Sequence, residues 1–307
     1  MKPRVIAIVG PTSSGKTALA LAAAKQFNGE IINADSRQWY RGLTIGTGKP
    51  QGVWEERDGR PTYVVEGVPH HLMDALDPME TASVITWRTQ ASFAIREIVS
   101  RGRLPLLVGG TGLYVQALLD AFIPPALPPQ FLWRQETSQK PLDELVAQLQ
   151  TIDPASAAII DLKNPRRVLR ALEVAVFTGS SFVGQRQQGT KEYEALRIGL
   201  RVPRAKLFMR IEQTIDQMFT AGWIEEVRIL HEQGLSWDAP GLTSLGYREI
   251  GLFLQGKMSQ AEVRAMIIHA TQQYAKRQET WFKKDVEVEW FETPLEALER
   301  IRQSVLG

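Results

Sequence analysis

The octapeptide GPTSSGKT, residues 10–17, constrains this chain more than any other stretch. Through Gly10, Gly15, Lys16 and Thr17 it fits the phosphate-loop pattern G-x-x-x-x-G-K-[ST]. Both flanks agree. RVIAIV, residues 4–9, is a short apolar run typical of a buried strand, and ALALAAAKQF, residues 18–27, is rich in helix formers. A loop between such a strand and such a helix aims backbone N–H groups at an anion. Lys16 adds a point charge, and the Thr17 hydroxyl can ligate Mg2+. An ordinary glycine turn has no use for Lys16 and Thr17 together. Pro11, Thr12, Ser13 and Ser14 complete the candidate phosphate cradle.

Strand and helix patterns then alternate. GEIINAD, residues 29–35, reads as a second strand, 82–101 as a helix, and LPLLVGGTGLYVQALL, residues 104–119, as strand, turn and helix. This order predicts an α/β fold, a P-loop NTPase-like parallel sheet flanked by helices. IPPALPP, residues 123–129, breaks the pattern by its proline content, and 130–180 has helical periodicity with no good strand. A small helical insertion is expected at 123–190, between core segments 1–122 and 191–307. RIGLRV, residues 197–202, alternates like a strand that returns the chain to the sheet. Two long helices are expected at 204–233 and 259–284, the second with an apolar stripe through Val263, Ile267, Tyr274 and Trp281. PHHLMD, residues 69–74, is expected to be loop structure, since adjacent histidines cannot easily share one metal.

Without cysteine, disulfides and cysteine-ligated zinc or iron–sulfur centres are excluded, and the four histidines are too scattered for a metal cluster. The apolar run after the N-terminus is too short for a signal sequence or a membrane span. A cytoplasmic protein is expected, and a monomer, because no exposed apolar heptad is visible. The net charge of +2 conceals an asymmetry. Residues 160–210 hold 11 Lys/Arg against 4 Asp/Glu, and 264–284 hold 5 against 1. Such islands suit a polyanionic partner larger than a mononucleotide, or are a solvated basic face.

A phosphate loop does not say what happens to the phosphate. Many NTPases carry a Walker-B aspartate at the end of a later apolar strand. Here that strand ends in Gly109-Gly110-Thr111 without an acid. The acid follows the second strand instead, as Asp35. In small-molecule P-loop kinases an acid there often contacts the acceptor, so group transfer fits better than hydrolysis.

Seven motifs, GPTSSGKT, ADSRQWYRGLTIGTGKP, PHHLMD, LLVGGTGLY, NPRRVLRALEV, LGYREI and AKRQETWFKK, stand in the order seen in bacterial-type tRNA dimethylallyltransferases (tRNA isopentenyltransferases). The chain resembles that family over about residues 4–284. The resemblance implies transfer of the dimethylallyl group of dimethylallyl diphosphate to the exocyclic amine of the adenosine 3′ of the anticodon. The P-loop would then hold a prenyl diphosphate, and no Walker-B acid is needed. Asp35 would act as general base. Lys16, with Thr12, Ser14, Thr17 and Mg2+, would stabilise the leaving diphosphate, with Arg210 as a further contact. Thr111 would reach into the reaction channel, unless GGTGLY is only a close-packed turn.

The implied partner, the anticodon stem-loop of tRNA, gives the basic islands a purpose. Expected RNA contacts are Asp35, Ser36, Arg37, Gln38 and Thr111, then Arg166, Arg167 and Arg170 on one side of a helix, then Gly246, Tyr247 and Arg248. Lys276, Arg277, Gln278, Thr280 and Trp281 follow, Arg and aromatic planes being suited to unstacked bases. Trp281 fits core packing equally well. The chain departs from the family at Thr214, where a second arginine is frequent, around 130–145, where the insertion is shorter, and at Trp87, where phenylalanine is common. Three rivals remain at this level: a P-loop small-molecule kinase, a non-catalytic RNA-binding switch, and a prenyltransferase acting on free adenine nucleotides.

Overall fold

The first strand, β1 (Arg4–Val9), has no exposed surface from Val5 to Val9. An unbroken apolar run of this kind belongs to a parallel sheet covered on both faces. The computed structural model describes residues 2–123, 125, 127–185 and 187–307, so the proline-rich break lies partly outside the described residues. From β1 the chain enters α1 (Lys16–Gln26) and β2 (Gly29–Asn33). It continues through β3 (Val53–Arg57), β4 (Arg60–Val65), β5 (Val68–His71), α2 (Val84–Ser100), β6 (Leu104–Gly109) and α3 (Gly112–Leu119).

Two compact units result, one of Met1–Leu119 with Glu192–Gly307, the other of Asp120–Lys191. The smaller holds β7 (Phe122–Ile123), α4 (Phe131–Thr137), α5 (Leu142–Ile152), α6 (Pro154–Ile159), α7 (Pro165–Thr178) and β8 (Gln187–Gln188). Its core is Leu145, Leu149, Val168, Ala171 and Leu172. Asn164 caps α7 by accepting from Arg166 and Arg167 N–H, and Pro165 sits at the first turn, where its missing N–H costs nothing. The larger unit resumes with β9 (Glu194–Leu200), α8 (Arg204–Thr220), α9 (Trp223–Glu232), α10 (Tyr247–Leu254), α11 (Gln260–Phe282), β10 (Val288–Phe291) and α12 (Pro294–Leu306).

The sheet order is β10-β9-β1-β6-β2-β5-β4-β3. The six strands from β10 to β5 are parallel, with Val9 opposite Gly109 and Asn33 opposite Val108. β4 and β3 add an antiparallel edge. α1 and α12 pack on one face through Leu19, Ala23 and Ile301, and α2 on the other through Trp87, Ile95 and Ile98.

Two sequence expectations need correction. The helix expected at 204–233 is two helices, because Gly222 takes φ 96° and ends the run between α8 and α9. PHHLMD is not a loop throughout, because His70 and His71 belong to β5. There His70 Nδ1 bonds the Val68 carbonyl at 2.9 Å and His71 Nε2 meets Glu30 at 2.6 Å. Among the described residues no helix is long and apolar enough to cross a membrane.

Candidate active site

The parallel strands β1, β2 and β6 deliver their following loops to one end of the sheet, where open α/β folds bind ligands. A cleft of about 630 Å³ opens there. It is lined by Thr12, Ser13, Ser14, Gly15, Lys16 and Thr17 of the phosphate loop, by Asp35, Arg37 and Gln38 after β2, by Gly109 and Gly110 after β6, and by Arg210, Thr214, Tyr274 and Gln278.

The loop between β1 and α1 has a defined shape. Gly15 takes φ 98° at the start of α1, a conformation that suits glycine. Pro11 is buried, and its carbonyl accepts from Lys16 Nζ at 2.6 Å. Burial lowers the Lys16 ammonium to about 8, while the Asp35 carboxylate works in the opposite direction. Ser14 Oγ is buried with no hydrogen-bond partner among the described residues. A buried hydroxyl without a partner costs free energy unless something else supplies one. The Thr17 side chain is open to the cleft.

Asp35 is held by the strand that carries it. Asn33, buried at the end of β2, accepts from Asp35 N–H at 2.9 Å and donates to the carbonyls of Asp35 and Leu72, both at 3.0 Å. Asp35 Oδ1 accepts from Arg37 N–H at 2.8 Å. Its other oxygen has no partner among the described residues. Thr111 N–H donates to the Ala34 carbonyl at 3.1 Å, and Thr111 Oγ1 accepts from Ser36 N–H at 3.1 Å. Thr111 thus buttresses the Asp35 loop from β6. Burial followed by the Asp35 charge raises the Tyr274 phenol well above its usual value.

Asn33 and Tyr274 were missed as site residues in the sequence. Their spacing held the clue: Asn33 ends the strand two residues before the acid, and Tyr274 lies one helical turn before Gln278. Lys49 of GTGKP and Asp74 of PHHLMD form a buried ion pair, and Lys49 Nζ also donates to the Tyr40 carbonyl at 2.9 Å. Two motifs that looked separate are therefore joined behind the Asp35 loop.

Several expected RNA contacts are corrected. Tyr247 is fully buried, donates to Glu226 Oε1 at 2.5 Å and accepts from Gly46 N–H at 3.1 Å, so it cannot stack on a base. Gly246 is buried against the Trp223 ring, where it has a structural task. Gln278 is buried and uses both ends of its amide: Oε1 accepts from Thr12 N–H at 2.8 Å and Nε2 donates to the Gly110 carbonyl at 3.0 Å. It ties α11 to the phosphate loop. Arg170 pairs with Glu173 and donates to the Leu127 carbonyl at 2.6 Å, so it does not project with Arg166 and Arg167. Those two are exposed. Arg248, Arg277 and Thr280 are also exposed, whereas Lys276 lies 5.5 Å from the Phe208 ring centre. Trp281 is 37% exposed and covers Gly112 at the start of α3. None of Gly246, Tyr247, Arg248, Lys276, Arg277, Thr280 and Trp281 lines the cleft.

Among the described residues no cluster of three or more His, Asp or Glu is gathered to hold a metal. Mg2+ does not require one, since it is commonly bound by one or two protein oxygens together with substrate phosphates and water. The Thr17 hydroxyl and the unpartnered Ser14 Oγ are hard oxygen donors beside Lys16, and they fit such an ion.

Comparisons with known proteins identify the family. The family model described as IPP transferase matches residues 38–285, and that described as isopentenyl transferase matches 3–66. A tRNA dimethylallyltransferase of Thermomicrobium roseum is 44% identical over 94% of this chain and 86% of its own length. One of Carboxydothermus hydrogenoformans is 39% identical over 100% and 97%. The crystal structure of the full-length tRNA isopentenylpyrophosphate transferase of Bacillus halodurans superposes with TM-score 0.71 at 36% identity, covering 99% of this chain and 97% of that one. A eukaryotic dimethylallyltransferase acting on tRNA superposes with TM-score 0.75 at 27% identity, covering 94% and 74%. A phosphate loop facing an acid without a Walker-B partner, over a chain matched almost end to end, has one family explanation: this protein belongs to the IPP transferase family, with the tRNA dimethylallyltransferases.

Proposed function

We propose that this protein transfers the dimethylallyl group of dimethylallyl diphosphate to N6 of the adenosine 3′ of the anticodon in tRNA, releasing diphosphate. One observation carries the chemistry. The Lys16 loop and the half-open carboxylate of Asp35 face one cleft, and Asp35 is the only acid among the described residues that line it. The adenine amine attacks the allylic carbon, the N6–C bond forms, and the C–O bond breaks with its electron pair leaving on diphosphate. Asp35 takes the N6 proton through the oxygen that Arg37 N–H does not occupy. The loop N–H groups, Lys16 and Arg210 stabilise the charge that grows on the leaving group. Mg2+, held by Thr17 and Ser14, would add Lewis-acid stabilisation of the same oxygens.

The target base is extruded from its loop, at about a few kcal/mol, to meet Asp35. Arg37 and Gln38, which line the cleft, would flank its approach with Ser36 and Thr111 beside them, and Arg166, Arg167, Arg248, Lys276, Arg277, Thr280 and Trp281 would be phosphate or base contacts. We propose further that the enzyme is a cytoplasmic monomer. The test is incubation with labelled dimethylallyl diphosphate, Mg2+ and either unmodified tRNA or AMP. Label in tRNA supports this function, label in AMP favours the free-nucleotide prenyltransferase, and consumption of ATP with label in neither favours a kinase.

A further inference from the structure

The loops after β1, β2 and β6 meet at the cleft, and one buried side chain joins them. Gln278, on α11, is 4% exposed and lines the same cleft as Lys16 and Asp35. Its Oε1 accepts from Thr12 N–H in the phosphate loop at 2.8 Å, and its Nε2 donates to the Gly110 carbonyl after β6 at 3.0 Å. One phosphate-loop N–H is thus held by the protein and not by an anion. From Gly110 the connection continues to the acid. Thr111 N–H donates to the Ala34 carbonyl and Thr111 Oγ1 accepts from Ser36 N–H, both at 3.1 Å, so the turn grips the chain on either side of Asp35. The packing leaves no slack. A side chain at Gly109 would run into the Ala34 backbone, and one at Gly110 into the Gln278 amide. Contacts this close transmit a displacement and do not absorb it.

We infer that Gln278 is a positioning residue for the transfer step, setting the spacing between the phosphate loop and Asp35. The inference rests on the dimethylallyl-transfer reading above. In that step the N6–C bond forms, the C–O bond breaks with its electrons leaving on diphosphate, and the N6 proton passes to Asp35. The leaving group and the proton acceptor are therefore held by different loops, on β1 and β2. They serve one transition state only if those loops keep a fixed separation. Gln278 reaches both, directly at Thr12 and through Gly110 and Thr111 at Asp35. It acts on the loops and not on the reacting atoms. A misplacement of about 1 Å at such a site can cost about 10²-fold in rate.

The test uses two variants. Gln278→Met is close to glutamine in length but makes neither hydrogen bond. Gln278→Asn keeps the amide but is one methylene too short to span both partners. Transfer from labelled dimethylallyl diphosphate with Mg2+ to unmodified tRNA is measured for each. The expected result is a fall in kcat of about 10²-fold in both. KM for each substrate should stay within about threefold of wild type, since the interaction matters in the transition state and not in binding. Made in an Asp35→Ala background, Gln278→Met should lower the residual single-turnover rate by no more than about threefold, because residues that act as one unit are not additive. Lower thermal stability with kcat intact would overturn the inference and leave Gln278 a packing tie. So would a raised KM for dimethylallyl diphosphate with kcat unchanged, which would confine it to the phosphate loop. Full additivity with Asp35→Ala, or wild-type kcat in Gln278→Asn, would overturn it too. Should one variant fail to fold, the other carries the test. Absence of transfer by the wild-type protein would instead sink the functional reading, and this inference with it.

Discussion

The two ends of strand β2 treat charge in opposite ways. Past the end of β2, Asp35 has one oxygen unused, Lys16 is pushed toward neutrality, and Ser14 Oγ is buried without a partner. Near its start, Glu30 is saturated by His71, Arg101 and Arg103. The first site leaves groups to be satisfied by a ligand, so binding and chemistry can draw on them. The second satisfies its buried acid within the protein, and the neighbouring Arg57 and Arg60 pair with Glu55 and Glu97. Groups left without protein partners suit a ligand, and a neutralised cluster ties elements together.

Four experiments would break or sharpen that contrast. The largest effect is expected from Asp35→Ala, which should lower kcat by about 10²–10⁴-fold while tRNA affinity stays near wild type. Near-normal turnover in that variant would remove Asp35 from the chemistry. Glu30→Gln strikes the neutralised cluster. It should cost about 3 kcal/mol in urea unfolding at pH 7, because two arginines lose their shared carboxylate. Burial raises the Glu30 carboxyl, but hydrogen bonds from His71 and Arg101 outweigh it and hold the group at about 2. A depressed acid stabilises the fold above its unfolded value of 4.5, and that contribution is lost as pH falls from 4.5 toward 2. The gap between wild type and Glu30→Gln should therefore close near pH 2, and a constant gap would contradict the ion-pair account.

Lys16 predicts a third result. With its free-enzyme value near 8, affinity for diphosphate at saturating Mg2+ should fall about tenfold per pH unit above 8. Lys16→Met should abolish the slope in calorimetric titrations, and a slope that survives would assign it to another group. The smallest effect is expected from Tyr247→Phe. It removes one hydroxyl that bonds Glu226 and Gly46, costing about 1 kcal/mol of stability with tRNA affinity unchanged. A large drop in tRNA affinity instead would restore Tyr247 as a base contact.

What was legible in the chain was local. The apolar run of β1, the phosphate loop and the first turn of α1 are contiguous, so pattern and chemistry could be read together. Asp35 was visible because an acid follows a strand where none was needed for packing. The β3–β4 hairpin was not anticipated, although Asp58-Gly59 is a turn dipeptide and both residues adopt positive φ. Its flanking strands are mostly exposed and alternate weakly, so periodicity gave little signal. The side chains misplaced as RNA contacts share one cause. Tyr247, Gln278 and Arg170 are polar residues on helices, and polarity alone does not distinguish a ligand contact from a tie between elements.

By itself the sequence determined the α/β order, and it displayed the GPTSSGKT loop and Asp35, because each depends on residues within a few positions of one another. Tertiary structure alone decided that Asn33 and Thr111 aim Asp35, that Gln278 clamps the loop, and that Glu30 gathers distant arginines. Those contacts join residues from about 70 to more than 250 positions apart, apart from Asn33, whose buttress at Leu72 lies 39 away. No local pattern encodes such partners, since only the folded chain brings a buried donor and its acceptor together.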